Sequence, residues 1–242
     1  YTKKYIDKIN SRSQIESEIT ENWEYYLGND IMDSENFRDV NPLITANWDQ
    51  GGNWDNMCPG EALVGCVAVS MAQIMHYWSY PEIGNGSHGY NHWTYGYQSA
   101  NFGNSFYNYD EMPSNYASTE SQELLYHCGV AVNMGYGTDG SGASVFGSHP
   151  STYYAMRNYF SFQNDMSQVY PQNYSTSQFR NMLQDQLDEN KPLIYVGYDG
   201  EGGHAWNIDG YDDDYFHNNW GWGGSQNGYF LLSSLNGFNY DQ

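Results

Sequence analysis

The sequence predicts an α+β domain, with helices in the first part of the chain and an antiparallel sheet in the last fifth. Two changes along the chain support this order. Up to about residue 190, apolar residues recur at helical spacing between polar, glycine-rich loops. From Leu193 onward the period changes to two, and short apolar runs alternate with turns rich in Gly and Asp. The 26 glycines and the 18% of aromatic residues are also typical of an α+β fold with many tight loops.

The first 28 residues predict a helical unit of their own. Ser13 and Glu16 form a capping-box pattern, apolar residues follow every four positions, and Gly28 can end the helix. Four of the eight basic residues of the chain lie in its first twelve positions, whereas the remainder is strongly acidic. This contrast indicates a segment with a separate role, although an integral part of the main domain remains an alternative.

The strongest helix prediction is a buried one at residues 65–78, because this run is apolar nearly all round and Pro81 follows it. Residues 79–118, rich in Gly, Asn, Tyr and Ser, predict loops with short irregular strands, and residues 135–147 predict a glycine-rich loop. Three further helices are predicted: one opened by a capping box of Thr119 and Gln122 and reaching about Met134, a short one at Pro150–Phe160, and one opened by Ser175 and Gln178 and reaching about Asn190.

The final part of the chain predicts four successive antiparallel strands. They are Leu193–Tyr198, His204–Gly210, Tyr215–Trp220 and Tyr229–Leu232.

The charge balance restricts the partners of the protein. With 8 basic and 29 acidic residues the net charge is -21, which argues against binding to nucleic acid or to an anionic membrane. Scarce lysine and a surface rich in Tyr, Asn and Gly favour an extracellular, secreted protein, and we expect it to be a monomer. Of the three cysteines at least one is free or bonded outside the chain, and we expect Cys58 and Cys128 to be buried thiols.

Three places in the chain carry possible chemistry. Cys66 begins the buried helix, where unpaired N–H groups and the helix dipole favour a thiolate, although plain packing is the commoner role of such a cysteine. His204 follows a glycine-rich turn and could serve as a base for a cysteine, or be structural. The segment Asn218–Gly224 places two tryptophans on a glycine-rich turn, either as a sugar-binding platform or as a wall over a histidine.

Together these places resemble the streptopain family of papain-like bacterial cysteine peptidases. The resemblance covers about residues 37–242 and follows five ordered segments: Trp48-Asp49-Gln50 to Cys58-Pro59, Gly65–Met75, Gly129–Gly137, Gly203–Gly210 and Asn219–Gly224. It implies a two-lobed papain-like fold, with a helical left lobe that contains the nucleophile helix and an antiparallel sheet as the right lobe.

The resemblance also implies a role for each matching residue. Cys66 would attack the scissile carbonyl, His204 would act as general base and acid, and Gln50 would help to hold the oxyanion. The histidine would be oriented by Trp220, with Trp222 beside it. Asn219 is the alternative residue for that role. Gly142 and Gly203 match positions where the family contacts substrate, no metal or cofactor is implied, and a hydrophobic residue is preferred two positions before the cleavage (P2).

The sequence therefore predicts a secreted cysteine endopeptidase that acts on protein or peptide substrates through an acyl-enzyme. Such enzymes are made as zymogens, so we interpret residues 1–36 as the tail of an inhibitory propeptide or an N-terminal helical extension, and residues 37–242 as the peptidase domain. Two alternatives stay open: a non-enzymatic extracellular binding module that uses its aromatic loops, and an acyl transferase on the same fold.

Overall fold

The structure is a computed structural model that describes residues 39–163, 165–200, 202–235 and 237–238. The chain divides into two units at residues 38 and 39, and all the described residues belong to the second. The predicted helical unit at 1–28, and with it the interpretation of residues 1–36 as a propeptide tail, lies outside the described residues and stays a prediction.

Four α-helices form within the described residues: α1 (Cys66–Trp78), α2 (Thr119–Ala131), α3 (Thr152–Asn158) and α4 (Thr176–Asp188). The buried helix predicted at 65–78 is confirmed, because nine of the thirteen residues of α1 are buried. The capping box of Ser175 and Gln178 at α4 is also confirmed. The capping box predicted for α2 was wrong by one residue, since Ser118 and Ser121 form it instead of Thr119 and Gln122.

Within the described ranges, the main sheet has five antiparallel strands: β1 (Asp39–Val40), β4 (Leu193–Tyr198), β5 (Gly203–Asp212), β6 (Tyr215–Asn219) and β7 (Gly228–Leu231). Its long strand β5 pairs on one side with β6 and on the other with both β4 and β1. The four predicted strands are confirmed to within two residues at each end. The short strand β1 was not predicted, because two residues carry no readable period.

A hairpin of β2 (His88–His92) and β3 (Gly96–Ala100) forms a separate two-stranded sheet. It lies in the stretch that the sequence predicts as loops with short strands. Its register pairs His88 with Ala100 and His92 with Gly96. The hairpin contacts α2, so it belongs to the helical part of the molecule.

The core divides into two clusters that lie against different parts of the main sheet. The larger cluster is built by α1, α2 and α3 and extends to Val196 and Ala205 on the sheet. The smaller cluster joins the apolar face of α4 to Trp206, Ile208 and other sheet residues. Because α1 also packs directly on β5, the first turn of the buried helix lies close to the start of the longest strand. No helix within the described ranges is long and apolar enough to cross a membrane.

Candidate active site

Cys66 is the first residue of α1, and its thiol lies at the junction between the helix and the sheet. The sulfur is close enough to the backbone N–H of Ala205 in β5 to accept a hydrogen bond from it, and to the N–H groups of Val67 and of Cys66 itself. Ala205 follows His204 in the chain. The fold therefore brings the predicted nucleophile to the residue beside the predicted base, across 139 positions of sequence.

Gly65 makes this approach possible. Its φ of 89° lies in the left-handed region that favours glycine. A Cβ at this position would lie 2.8 Å from the sulfur of Met134 and 2.9 Å from the carbonyl oxygen of Ser141. Only glycine leaves room here, so the loop containing Ser141 can pack directly against the start of the nucleophile helix.

Gln50 lies on a segment that is fixed between the helix start and the tryptophan loop. Its carbonyl accepts a hydrogen bond from Val64 at 2.8 Å, two residues before Cys66. Two residues earlier, the carbonyl of Trp48 accepts a hydrogen bond from the N–H of Gly223 at 3.0 Å. Two predicted site segments, far apart in sequence, are therefore neighbours of the same helix terminus.

The imidazole of His204 is enclosed by aromatic rings and is only 7% exposed. Trp222 is stacked on it with centroids 4.9 Å apart, and Trp220 is stacked at 6.2 Å. The prediction that Trp220 packs against His204 is confirmed. Because Trp220 is fully buried, it offers no open platform for a sugar.

Two further rings complete this enclosure, and sequence reasoning missed both. Trp206 is stacked on His204 at 5.7 Å, and Phe238 lies at 5.4 Å. Trp206 is two residues after His204 on the same strand, so the two-residue period of a strand was a usable signal. Phe238 comes from a different part of the chain and carried no local signal.

The orientation of His204 depends on a main-chain group. Its Nε2 donates a hydrogen bond to the carbonyl oxygen of Trp220 at 2.9 Å. Asn219, the alternative orienter, directs its amide elsewhere: its oxygen accepts from Gln73 and from the N–H of Gly221, and its nitrogen donates to Ala46. Asn219 thus fixes its own position and that of Gly221, on the two sides of Trp220, while the Trp220 carbonyl holds the imidazole of His204.

Burial disfavours a lone charge on either member of the Cys66 and His204 pair. Desolvation raises the pKa of the Cys66 thiol above its ordinary value, although three backbone N–H groups oppose the shift. Desolvation lowers the pKa of His204 to about 4, against the opposing effects of the Trp220 carbonyl and the Asp199 carboxylate. A proton transfer from thiol to imidazole would create two opposite charges at once, and each would then stabilise the other.

The two glycines expected at the substrate side have different surroundings. Gly142 forms an isolated bridge to Gly135, in which each N–H donates to the other's carbonyl at 2.9 and 3.3 Å. The N–H of Gly142 is therefore occupied, while a Cβ on Gly142 would meet nothing within 4 Å. Gly203 is exposed at the start of β5 and lies against the ring of Tyr198.

The other two cysteines are free thiols in different environments. Cys128 is fully buried as expected, and burial raises its pKa. Cys58 is only partly buried, contrary to the expectation, yet desolvation and the nearby Asp55 raise its pKa to about 12. Among the described residues no group of three or more His, Cys, Asp or Glu side chains is arranged to hold a metal ion.

A family model decides how this site is classified: the Peptidase C10 family model matches residues 48–230, which include every residue of the candidate site except Phe238. The chain belongs to the Peptidase C10 family. The resemblance read from the motifs is thereby confirmed, and the enzyme class predicted from the sequence, a cysteine peptidase, is the class of this family.

Curated C10 relatives share the same part of the chain. The thiol protease/hemagglutinin PrtT of Porphyromonas gingivalis is 34% identical over 206 residues, which are 78% of this chain and 23% of that protein. Streptopain of Streptococcus pyogenes is 31% identical over 195 residues, which are 72% of this chain and 47% of that protein. The chain thus spans about a quarter and about half of the length of these relatives.

Solved C10 structures have the same fold. Active wild-type interpain A cysteine protease of Prevotella intermedia superposes with a TM-score of 0.75 at 33% identity, covering 85% of this chain and 91% of that one. A prointerpain A fragment from the same organism, carrying a cysteine-to-alanine mutation, gives 0.74 at 33% identity and covers 86% and 71%. The α+β papain-like fold predicted from the sequence is therefore confirmed.

Proposed function

We propose that the chain is the peptidase part of a secreted bacterial cysteine endopeptidase, with Cys66 as nucleophile and His204 as general base. One observation carries this proposal: the thiol at the N-terminus of a buried helix meets the residue next to a histidine that a carbonyl and four aromatic rings hold in place. Of the three cysteines, Cys66 is the one whose sulfur has backbone N–H groups around it. The scarcity of lysine and the abundance of Tyr, Asn and Gly support secretion.

The proposed reaction proceeds through a thioester. His204 takes the proton of Cys66, and the thiolate attacks the carbonyl carbon of the scissile peptide bond. The negative oxygen that develops accepts hydrogen bonds from the Cys66 N–H and from the side-chain amide of Gln50, each of which stabilises the transition state by about 2.7–4 kcal/mol in comparable sites. His204 then protonates the leaving amine, and a water molecule that His204 deprotonates hydrolyses the thioester.

The finer features of the proposal concern specificity and control. We propose a preference for a hydrophobic residue at P2, in the open space beside Gly142, and an inhibitory propeptide whose tail is residues 1–36. The prointerpain A structure supports the second point, because a C10 relative exists in a pro form. Trimming of the incubated protein within residues 29–41 is the expected sign of activation.

Single cysteine replacements test the proposal. Cys66→Ala should abolish hydrolysis of a fluorogenic peptide, a loss on the order of 10⁴-fold or more, because no other group supplies the nucleophile. Cys58→Ala and Cys128→Ala are matched controls, and both should keep turning over substrate even if Cys128→Ala is less stable. Hydrolysis by folded Cys66→Ala, or its loss in Cys58→Ala alone, would refute the assignment.

A further inference from the structure

Trp93 is a large apolar side chain held in an exposed position. It lies in the turn between β2 and β3 and is 79% exposed. Its ring stacks on His92, with centroids 4.1 Å apart and planes 28° apart. His92 is itself only 3% exposed, and its Nδ1 accepts the backbone N–H groups of Thr94 and Tyr95 at 3.1 Å each. The turn therefore presents the tryptophan on a rigid base, where few rotamers remain to be lost on binding.

The far edge of the Trp93 ring reaches the glycine loop near the nucleophile. A Cβ on Gly135 would lie 2.8 Å from Cη2 of Trp93, so glycine at 135 is what lets the ring approach. Gly135 bridges to Gly142, and the carbonyl of the preceding Ser141 lies against Gly65. A short series of direct contacts thus connects Trp93 with the residue before Cys66.

The length of this series matches a few residues of bound peptide. It contains one paired-strand spacing of about 4.8 Å, between Gly135 and Gly142, with one further contact on either side of that bridge. An extended peptide advances about 3.3 Å per residue, so a peptide that runs from the nucleophile toward Trp93 passes this series with a few of its residues. Beside Gly142, within this series, there is open space, because a Cβ on Gly142 would meet no atom within 4 Å.

We propose that Trp93 determines specificity: its ring contacts an apolar side chain of the bound peptide two to four residues upstream of the scissile bond. This inference rests on the proposed function. We place the contact upstream of the scissile bond because the downstream residues leave with the amine, which takes its proton from His204 on β5. Trp93 belongs instead to the hairpin that packs on α2. Tryptophan suits this role, since a flat, fixed ring offers a large apolar contact area for aliphatic and aromatic side chains.

Cleavage of a matched peptide series by Trp93 variants tests the inference. The peptides differ only at the second, third or fourth residue upstream, which is Gly, Leu or Phe. Trp93→Ala should lower kcat/KM about tenfold for the Leu or Phe peptides at one of these positions, as expected for one lost aromatic contact, and leave the glycine peptides unchanged. Trp93→Phe should retain most of the selectivity.

Trp78→Ala is the matched control, because Trp78 is also exposed, at 44%, but lies at the opposite end of α1 from Cys66. Unchanged selectivity in Trp93→Ala, an equal loss for every peptide, or the same loss in Trp78→Ala would overturn the inference. If the wild type cleaves none of the series, the proposed function fails instead. Binding of a labelled Phe peptide, measured by fluorescence polarisation with Cys66→Ala and with Cys66→Ala/Trp93→Ala, then tests the role of Trp93. The inference predicts weaker binding by the double variant, and equal binding by the two proteins would refute it.

Discussion

At the level of single residues, the site combines two groups whose charges are individually unfavourable. His204 is surrounded by four aromatic rings, and desolvation lowers its pKa to about 4. Cys66 is partly buried at a helix terminus, and desolvation raises its pKa. Removal of water penalises each charge alone but strengthens the attraction between a thiolate and an imidazolium, because the local dielectric is low. The aromatic enclosure therefore favours a paired charge over either single one.

Replacement of Trp222, the ring nearest to His204, tests the effect of the enclosure. In Trp222→Ala water should reach the imidazole, so the pKa of His204, measured by NMR titration in the Cys66→Ala background, should rise from about 4 toward the ordinary value of about 6.5. In the background with Cys66 intact, kcat should fall. The same shift affects stability. Because His204 binds a proton less readily in the folded than in the unfolded protein, the free energy of unfolding is highest above pH 6.5 and decreases as the pH falls toward 4. Trp222→Ala should make this pH dependence weaker.

Trp78→Ala serves as the control for this titration and should leave the pKa of His204 unchanged. A His204 that still titrates near pH 4 in Cys66→Ala/Trp222→Ala, together with an unchanged kcat in Trp222→Ala, would show that the ring does not enclose the base.

At the level of elements, a buried group of amide side chains joins α1 to the sheet. The Gln73 amide nitrogen donates to the carbonyl of Ala46 at 2.8 Å and to the oxygen of Asn219 at 3.2 Å. The Gln73 oxygen accepts from Asn207 on β5 at 2.9 Å. Asn219 in turn accepts the N–H of Gly221, the residue after Trp220. The same bonds that hold the two layers together thus fix the carbonyl that orients His204.

Gln73→Met removes the centre of this group while keeping a side chain of similar volume. It removes three buried hydrogen bonds, those of Gln73 with Ala46, Asn207 and Asn219, so the free energy of unfolding in urea should fall by about 2–3 kcal/mol. The kcat should fall as well, because the Trp220 carbonyl is less firmly held.

Gln122→Met is the control for this replacement. Its amide also donates to a backbone carbonyl, that of Asn53 at 2.7 Å, but at an exposed position, so the expected loss is about 0.5 kcal/mol or less. Equal losses in the two variants, or an unchanged kcat in Gln73→Met, would show that the buried amides do not position the site.

At the level of the whole molecule, the order of helices and strands could be predicted from the sequence, because each period is local. The burial of α1 and the start of α4 followed from apolar pattern and capping residues. The hairpin β2–β3 was predicted only as loops with short strands, because its glycines and polar residues interrupt the alternation of apolar and polar residues. The position of Phe238 over His204 depends on tertiary packing and has no local signature.

The candidate site was only partly predictable for the same reason. Cys66, His204 and the tryptophan loop lie in recognisable motifs, whereas the rings and hydrogen-bond partners around them are known only from the structure. That the Trp220 main chain, and not the Asn219 side chain, hydrogen-bonds the histidine could not be read from residue types, because every residue has a carbonyl. The contact of Trp93 with Gly135 joins two loops that no sequence period connects.

The most direct test of the central claim is the pH dependence of Cys66 alkylation by iodoacetamide, with the modified cysteine located by mass spectrometry. The account predicts that Cys66 of the wild type is modified rapidly and selectively at pH 5–6, where a free thiol with a pKa of about 8.5 is almost unreactive. In His204→Ala the reaction should require a pH above about 9, because burial then acts on the thiolate without a compensating charge. The same pH profile in both proteins, or modification of Cys58 before Cys66, would contradict the account.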